Sequence, residues 1–305
     1  MLCPFCLSNT HSEHDACTQC EKPLPAMYVQ HYSRWRRPTM MSTVGFSGHG
    51  KTVYLASLFH LLQDSLCEVW PRFRRQALNQ ESVNVLYENL HLLEAGTLPE
   101  GTKPTFPEPS IHLLSGMPAI GERILLIYDP PGEAFNEDVG VERYAGFVQR
   151  SRCVMFLISL ADMDEPVAYE MHRLLETYAL GMSRMGAKKR KQHLVVVYTK
   201  ADLLLERLAC RPHLIAYLRQ GELDTISNVY GYRDAMRRIS QTLADFTISD
   251  LGAHSFLNLA HDHFESVVFC TVSALGSAPK DGELLVSVEP RRVIDPLLWA
   301  IWKAR

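Results

Sequence analysis

An α/β fold, doubly wound about a mostly parallel six-stranded sheet and preceded by a small cysteine-rich head, is what this 305-residue sequence predicts. Three observations predict it. From Thr39 onward, short apolar runs alternate with longer amphipathic ones, the pattern of strands buried on both faces by intervening helices. A glycine-rich turn directly follows the first of those runs and opens the next amphipathic segment. Four of the eight cysteines lie within the first twenty residues. The other four, Cys67, Cys153, Cys210 and Cys270, are scattered singly and read as small buried apolar residues.

The head comes first. Cys3-Pro4-Phe5-Cys6 and Cys17-Thr18-Gln19-Cys20 are two C-x-x-C pairs separated by ten residues. Each pair can present both thiolates from one tight turn. Four thiolates fill a tetrahedral shell around Zn²⁺ and leave no position open for chemistry. A redox pair would need only one such turn and a thioredoxin-like pattern around it, which is missing. His11 and His14, between the knuckles, are surplus to a shell of Cys3, Cys6, Cys17 and Cys20. Residues 1–22 therefore read as a structural zinc ribbon. Residues 23–38, rich in proline and arginine, read as a linker.

The main domain occupies 39–305. Thr39–Val44, Ser110–Leu114, Arg123–Tyr128, Cys153–Ser159, His193–Tyr198 and Ser266–Val272 are its expected strands. A helical insertion at about 66–109 interrupts the alternation, with Val83, Leu86, Tyr87, Leu90 and Leu93 on one face and Gly96 as terminator. Val167, Met171, Leu174, Leu175 and Tyr178 repeat at helical spacing behind Glu165-Pro166, and Asp295-Pro296 opens the last helix.

The turn itself, Gly45-Phe46-Ser47-Gly48-His49-Gly50-Lys51-Thr52, fits G-x-x-x-x-G-K-[ST] between a strand and a helix. An ordinary turn needs one glycine, occasionally two. Here the missing side chains let successive N–H groups converge on an anion, and the helix N-terminus adds partial positive charge. Gly45, Ser47, Gly48, His49, Gly50, Lys51, Thr52 and Val53 form the expected phosphate cradle. Lys51 would reach the β- and γ-phosphates, and Thr52 would offer its hydroxyl to Mg²⁺. Further on, Asp129-Pro130-Pro131-Gly132 ends the third strand. Its carboxylate can hold Mg²⁺ opposite Thr52, and the Gly132 N–H can sense a γ-phosphate. Thr199-Lys200-Ala201-Asp202 ends the fifth strand, and Ser273-Ala274-Leu275 follows the sixth. All four segments fall at the carboxyl ends of strands, where such sheets bind ligands.

In this order, these segments resemble those of the Ras-like GTPases of the P-loop superfamily, over about Thr39 to the C-terminus. The resemblance implies GTP/GDP and Mg²⁺ as ligands. It implies that Asp202 hydrogen-bonds the guanine edge, that Lys200 lies along the base beside Thr199, and that the Ser273–Leu275 backbone meets the base carbonyl. Only guanine offers two N–H donors to one carboxylate, whereas adenine would strand a buried polar group at about 1–3 kcal/mol. The family pattern also implies Mg²⁺ ligation by Thr52, Thr105 and Asp129, and a reacting set of Lys51, Thr105, Gly132 and Glu133. Thr105, in a Pro-Thr-apolar triplet ahead of the second strand, is the expected switch threonine, with Thr102 in reserve. Glu133 stands where Ras-like proteins carry a glutamine. A carboxylate accepts a proton from water but cannot donate as an amide does, so hydrolysis is expected to be slow or partner-assisted. The alternatives are a pseudo-GTPase interaction module and a P-loop ATPase for which Thr199–Asp202 is coincidence. His49 resembles the histidine in the "HGKT" of translation GTPases, whose added β domains are absent here, and reads as a spacer. Arg72, Arg74 and Arg75 could supply an arginine to the site in cis.

A zinc-ribbon head on such a domain, with the tail "RVIDPLLWAIWKAR", is similar to the bacterial double-GTPase group of conflict and defence systems. That similarity implies a GTP-gated switch whose ribbon, switch segments or helical insertion meets a protein effector or activator. A net charge of −3 supplies no basic field for nucleic acid, and "RWRR" at 34–37 and "KKRK" at 188–191 read as solvated loops. The apolar runs are too short to span a bilayer, and no basic-then-apolar leader opens the sequence. A cytoplasmic protein without a membrane partner is expected.

Overall fold

The structure, a computed structural model, describes residues 1–11, 15–32, 38–99, 108–164, 166–189, 191–279 and 288–303. His14, the 34–37 stretch, Thr102, Thr105, Glu165 and Arg190 lie outside these residues. In chain order the elements are α1 (Ala26–Tyr32), β1 (Thr39–Val44), α2 (Lys51–His60), α3 (Leu66–Val69), β2 (Arg74–Ala77), α4 (Gln80–Glu94), β3 (Ser110–Ser115), β4 (Arg123–Tyr128) and α5 (Asp138–Ala145). There follow β5 (Cys153–Ile158), α6 (Val167–Arg184), β6 (His193–Tyr198), α7 (Pro212–Arg219), α8 (Val229–Ser249), α9 (His254–His263), β7 (Ser266–Thr271) and α10 (Ile294–Lys303).

One sheet of order β2-β3-β4-β1-β5-β6-β7 organises the chain. From β4 through β7 the pairing is parallel, while β2 and β3 run antiparallel. β5 shows why the inner strands are apolar throughout. Val154, Phe156 and Ile158 enter one core with α6 and α9, whereas Cys153, Met155 and Leu157 enter the other with α2 and α10. Both faces are dry, so both parities must be apolar. α8 joins the two layers beside β7, Leu243 and Phe246 serving one core and Tyr232 and Met236 the other. Among the described residues, no helix is long and apolar enough to cross a membrane.

The structure departs from the sequence expectations in three places. The sheet has seven strands rather than six. β2 is the added one, a four-residue edge strand of sequence RRQA in which no residue is buried. Such a strand carries no apolar period. Its ladder with β3 defines it, and its charges protect a sheet edge. The supposed linker holds α1, whose Tyr28 is fully buried and donates a hydrogen bond to the Leu2 carbonyl at 2.8 Å. Seven residues are too few to show a helical period, and tertiary burial stabilises them instead. The head is thus docked on the sheet domain, with Leu7 and Tyr28 in the same core as β4. Of the four single cysteines, Cys153 and Cys270 are buried, but Cys67 and Cys210 are exposed. Cys67 lies on α3, and Cys210 lies just ahead of α7 with its Sγ 3.6 Å from Asp250 Oδ1. The insertion helix forms as expected: the Asn79 side chain caps α4 by accepting from Ser82 N, and Gly96 beyond its end takes φ 76°.

A buried polar cluster locks the C-terminal segment to the body. The carboxylate of Asp295 accepts hydrogen bonds from the phenols of Tyr217 and Tyr232. Arg292 lies over the Tyr217 ring at 3.7 Å, and Glu222 accepts the backbone N–H groups of Arg292 and Val293 at 2.8 and 3.2 Å. Burial pushes the Asp295 carboxyl up to about 7, with Arg292 opposing, and pushes Glu222 up as well. An acid whose folded pKa is raised stabilises the fold fully below its unfolded value, and that contribution is lost as pH rises towards the folded value. Asp295→Asn cannot ionise. Relative to wild type, the variant should therefore gain up to about 1.4 kcal/mol per pH unit between pH 4 and 7 and level off above 7. Denaturant melts of the two proteins at pH 5, 6, 7 and 8 measure this, and a pH-independent difference would contradict it.

Candidate functional site

The glycine-rich turn leaves β1 and opens α2 with Gly48 at φ 82° and Gly50 at φ 78°, conformations that disfavour a side chain. Two other glycines are required by contact. A Cβ on Gly45 would come 2.5 Å from the Leu157 carbonyl of β5, and one on Gly132 would come 2.2 Å from Ser47 N. The turn is therefore packed backbone to backbone against the fifth strand on one side and the Asp129–Gly132 segment on the other.

Lys51 folds back over the turn, its Nζ donating to the carbonyls of Gly45 at 2.8 Å and Phe46 at 3.0 Å. Burial lowers its pKa, with the carboxylates of Asp129 and Glu133 opposing. Thr52 Oγ1 donates to Asp129 Oδ2 at 2.9 Å, and Thr43 Oγ1 approaches Asp129 Oδ1 at 3.3 Å. The hydroxyl and the carboxylate expected to share Mg²⁺ are already together.

A cavity of about 630 Å³ opens over the turn. Ser47, Gly48, Gly50, Lys51, Thr52 and Val53 line it, together with Gly132 and Glu133, Thr199, Lys200 and Asp202, and Ala274 and Leu275. Four segments far apart in sequence thus meet at the carboxyl ends of the strands. Leu98, Pro99, Leu203, Ser277, Ala278 and Pro279 also line it, and the sequence carried no signal for them. Gly45, His49, Asp129 and Ser273 do not line it; they support the residues that do. Thr105 lies outside the described residues.

His49 is the clearest case. Its ring is buried, edge-on to Phe46, with Nδ1 3.3 Å from the Leu157 carbonyl and 3.5 Å from Ser159 N. Burial pushes its pKa down to about 4. Its carbonyl accepts from Thr199 Oγ1 at 2.9 Å, so this threonine ties the glycine-rich turn to the Thr199–Asp202 segment. At that segment, Ser273 Oγ donates to Asp202 Oδ1 at 2.6 Å and itself accepts from Gly276 N at 3.0 Å. Lys200 adopts φ 53°, and its Nζ pairs with Asp162 Oδ2 at 2.8 Å. Although burial alone would raise it, the hydrogen bonds from Lys200 and Ser159 hold the Asp162 carboxyl below the usual range. Asp162, two residues past Leu160 in the loop after β5, was not flagged by any motif. Arg74 bonds the carbonyls of Pro71 and Phe73, and Arg75 bonds Gln63 and approaches His112. Neither they nor Arg72 lines the cavity.

The cysteine head presents a second centre. The four Sγ atoms of Cys3, Cys6, Cys17 and Cys20 all lie within 4.8 Å of one another, with Cys3–Cys20 at 3.8 Å and Cys6–Cys17 at 3.6 Å. A tetrahedron with metal–sulfur bonds of about 2.3 Å has edges of about 3.8 Å, so the set fits Zn²⁺. Phe5 N and Gln19 N each point at a sulfur, Cys3 and Cys17, at 3.4 Å. Leu7 and Glu21, the residues after each pair, take φ 61° and 58°. The two knuckles are near-copies.

The family described as Double-GTPase 2 matches residues 39–268, well over half of the chain. Among solved structures, the crystal structure of the bacterial selenocysteine-specific elongation factor EF-Sec is similar, at 16% identity and a TM-score of 0.37. The match covers 88% of this chain and 29% of that one, so this chain spans under a third of the length of that protein. No curated protein matches the sequence.

The His49 environment gives a direct expectation. Its folded pKa is depressed, so the neutral ring stabilises the fold above the unfolded value near 6.5, and that stability is lost as pH falls through about 4. The imidazole signals of His49 should not move between pH 8 and 5 in an NMR titration. Titration near pH 6.5 would place the ring in solvent.

Proposed function

The chain belongs to the Double-GTPase 2 family, and from that premise we propose a GTP-binding molecular switch that hydrolyses GTP slowly by itself and faster with a protein partner. The carrying observation is the pair Ser273–Asp202. The hydroxyl donates to one carboxylate oxygen of Asp202, which lines the same cavity as Lys51, leaving the other for a base. A guanine in that position satisfies the carboxylate with two N–H donors, while adenine would meet it with an acceptor. The phosphates would then reach back over Gly48, Gly50 and Lys51.

Mg²⁺ would be held by Thr52, with Asp129 behind it and Thr105 as the further proposed ligand, and would neutralise charge developing between the β- and γ-phosphates. Two contacts support this reading: Thr52 and Asp129 are hydrogen-bonded, and Lys51 donates to the Gly45 and Phe46 carbonyls, which phosphate oxygens would replace. Gly132 N–H is the proposed γ-phosphate sensor. Glu133, exposed at the cavity wall, can take a proton from water but cannot donate to it, which supports slow turnover. This same feature favours the second reading, a pseudo-GTPase that binds nucleotide without turnover. Single-turnover hydrolysis with and without candidate partners separates the two. The zinc ribbon is the proposed adaptor for those partners, and a role in a bacterial conflict or defence system is part of the same proposal. Thiolate ligands suit a reducing cytoplasm.

Base choice is tested by comparing GTP, xanthosine triphosphate and ATP on wild type and Asp202→Asn. The variant should lose roughly ten- to a hundredfold in GTP affinity, about 1.5–3 kcal/mol, and gain preference for xanthine, whose carbonyl accepts from the new amide. Wild-type preference for ATP would overturn the reading.

For the metal, protein purified without chelator should carry about one zinc per chain, and Cys3→Ser or Cys20→Ser should release it. A Cys3–Cys6 disulfide without metal would remove the ribbon.

A further inference from the structure

We propose that the cysteine head is a positioning element of the nucleotide site: its first knuckle, acting through Tyr128, fixes the Asp129 carboxylate beside Thr52. The inference rests on the nucleotide reading above. Pro4 lies between Cys3 and Cys6, and its carbonyl accepts a hydrogen bond from Tyr128 Oη at 2.6 Å. Tyr128 is the last residue of β4 and the immediate predecessor of Asp129. It is fully buried, and its ring stacks on Phe147 at 4.5 Å with an interplanar angle of 13°. A phenol held in that stack cannot swing to another acceptor without giving up ring contact.

The peptide that carries Asp129 is therefore pinned from two sides. Thr43 Oγ1 approaches both the Tyr128 carbonyl and Asp129 Oδ1 at 3.3 Å, from β1. Pro4 holds the Tyr128 side chain from the head. The four sulfurs, which would close on one metal, set the shape of the knuckle that presents the Pro4 carbonyl, and Leu7, at φ 61°, bonds back to the Cys3 carbonyl at 3.0 Å. Tyr28 and Leu7 keep the knuckle against the body.

A second tie runs from the other knuckle. Lys22 pairs at 2.6 Å with Glu108, two residues ahead of β3, but both side chains are about half exposed, at 48% and 52%. Solvent and salt weaken such a pair, so the buried Tyr128 bond carries the coupling. Ser110 lies opposite Ile127 in the antiparallel β3–β4 ladder, which puts Glu108 and Asp129 at the same end of the sheet. The head touches both segments there.

Tyr128→Phe removes one donor while leaving the ring stack and the four cysteines in place. Hydrogen–deuterium exchange over residues 128–135 would be compared among zinc-loaded wild type, wild type stripped with a zinc-selective chelator, and zinc-loaded Tyr128→Phe, with α8 and α9 as internal references. Both perturbations should raise exchange at 128–135 about three- to tenfold and spare the references. In parallel, Tyr128→Phe should keep its zinc and its Mg²⁺-free affinity for GDP, yet need three- to tenfold more Mg²⁺ to tighten GTP. Unchanged exchange at 128–135 in Tyr128→Phe overturns the coupling, including where stripping the metal unfolds the whole chain. Failure of wild type to bind Mg²⁺–GTP would overturn the nucleotide reading instead, and the exchange comparison still judges the coupling.

Discussion

Two positions without a Cβ set the dimensions of the nucleotide end of this protein. Gly45 lets the phosphate turn rest on the Leu157 carbonyl, and Gly132 lets the Asp129 segment rest on Ser47 N. Both contacts are backbone on backbone, with no flexible side chain to absorb an added methyl group. The consequence is a turn clamped between two strand ends, so that Lys51, Thr52 and Asp129 reach one another without conformational search. Pre-ordering of this sort removes entropy cost from binding and places charge before the ligand arrives.

The remaining contacts extend that clamp outward. Thr199 grips the turn through the His49 carbonyl, Ser273 grips Asp202, and the Ser273 backbone pairs with Arg291. Beyond Arg291 comes the buried Arg292–Asp295–Tyr217–Tyr232 cluster, so a chain of polar contacts runs from the phosphate turn to the last helix. Buried polar groups of this kind are costly unless satisfied, and most members here are paired. Lys200 and Asp162 close the same ring over β5.

What was legible in the sequence follows from what period and spacing can report. β5 and β6 were readable because dry faces on both sides force unbroken apolar runs. The glycine-rich turn stood out because phosphate binding would fix its glycines, lysine and threonine in relative position. β2 was not, because an exposed edge strand is defined by its neighbour rather than by its own residues. α1 was missed because one buried tyrosine in seven residues makes no pattern. Asp162 and the wall of Leu98, Pro99 and Pro279 were missed for another reason: cavity walls need shape, not a residue type. Cys67 and Cys210 show the limit of residue statistics, since a small apolar thiol is tolerated on a surface turn as readily as in a core. His49 was read as a spacer within the turn; its tether to Leu157 and Thr199 is a tertiary fact that no motif reports.

The place of α10 has a temporal consequence. It packs against β1, β5, β6 and β7, covering one face of strands whose first member was made some 250 residues earlier. On a ribosome adding about 5–20 residues per second, the part of that face under α10 stays open for roughly 12 to 50 s after β1 is made. Met41, Met155 and Val195, on β1, β5 and β6, belong to the apolar core that Ile294–Lys303 completes. A chain stalled shortly before α10 would therefore leave that part of the sheet without its last helix, the kind of transiently exposed apolar surface that favours aggregation.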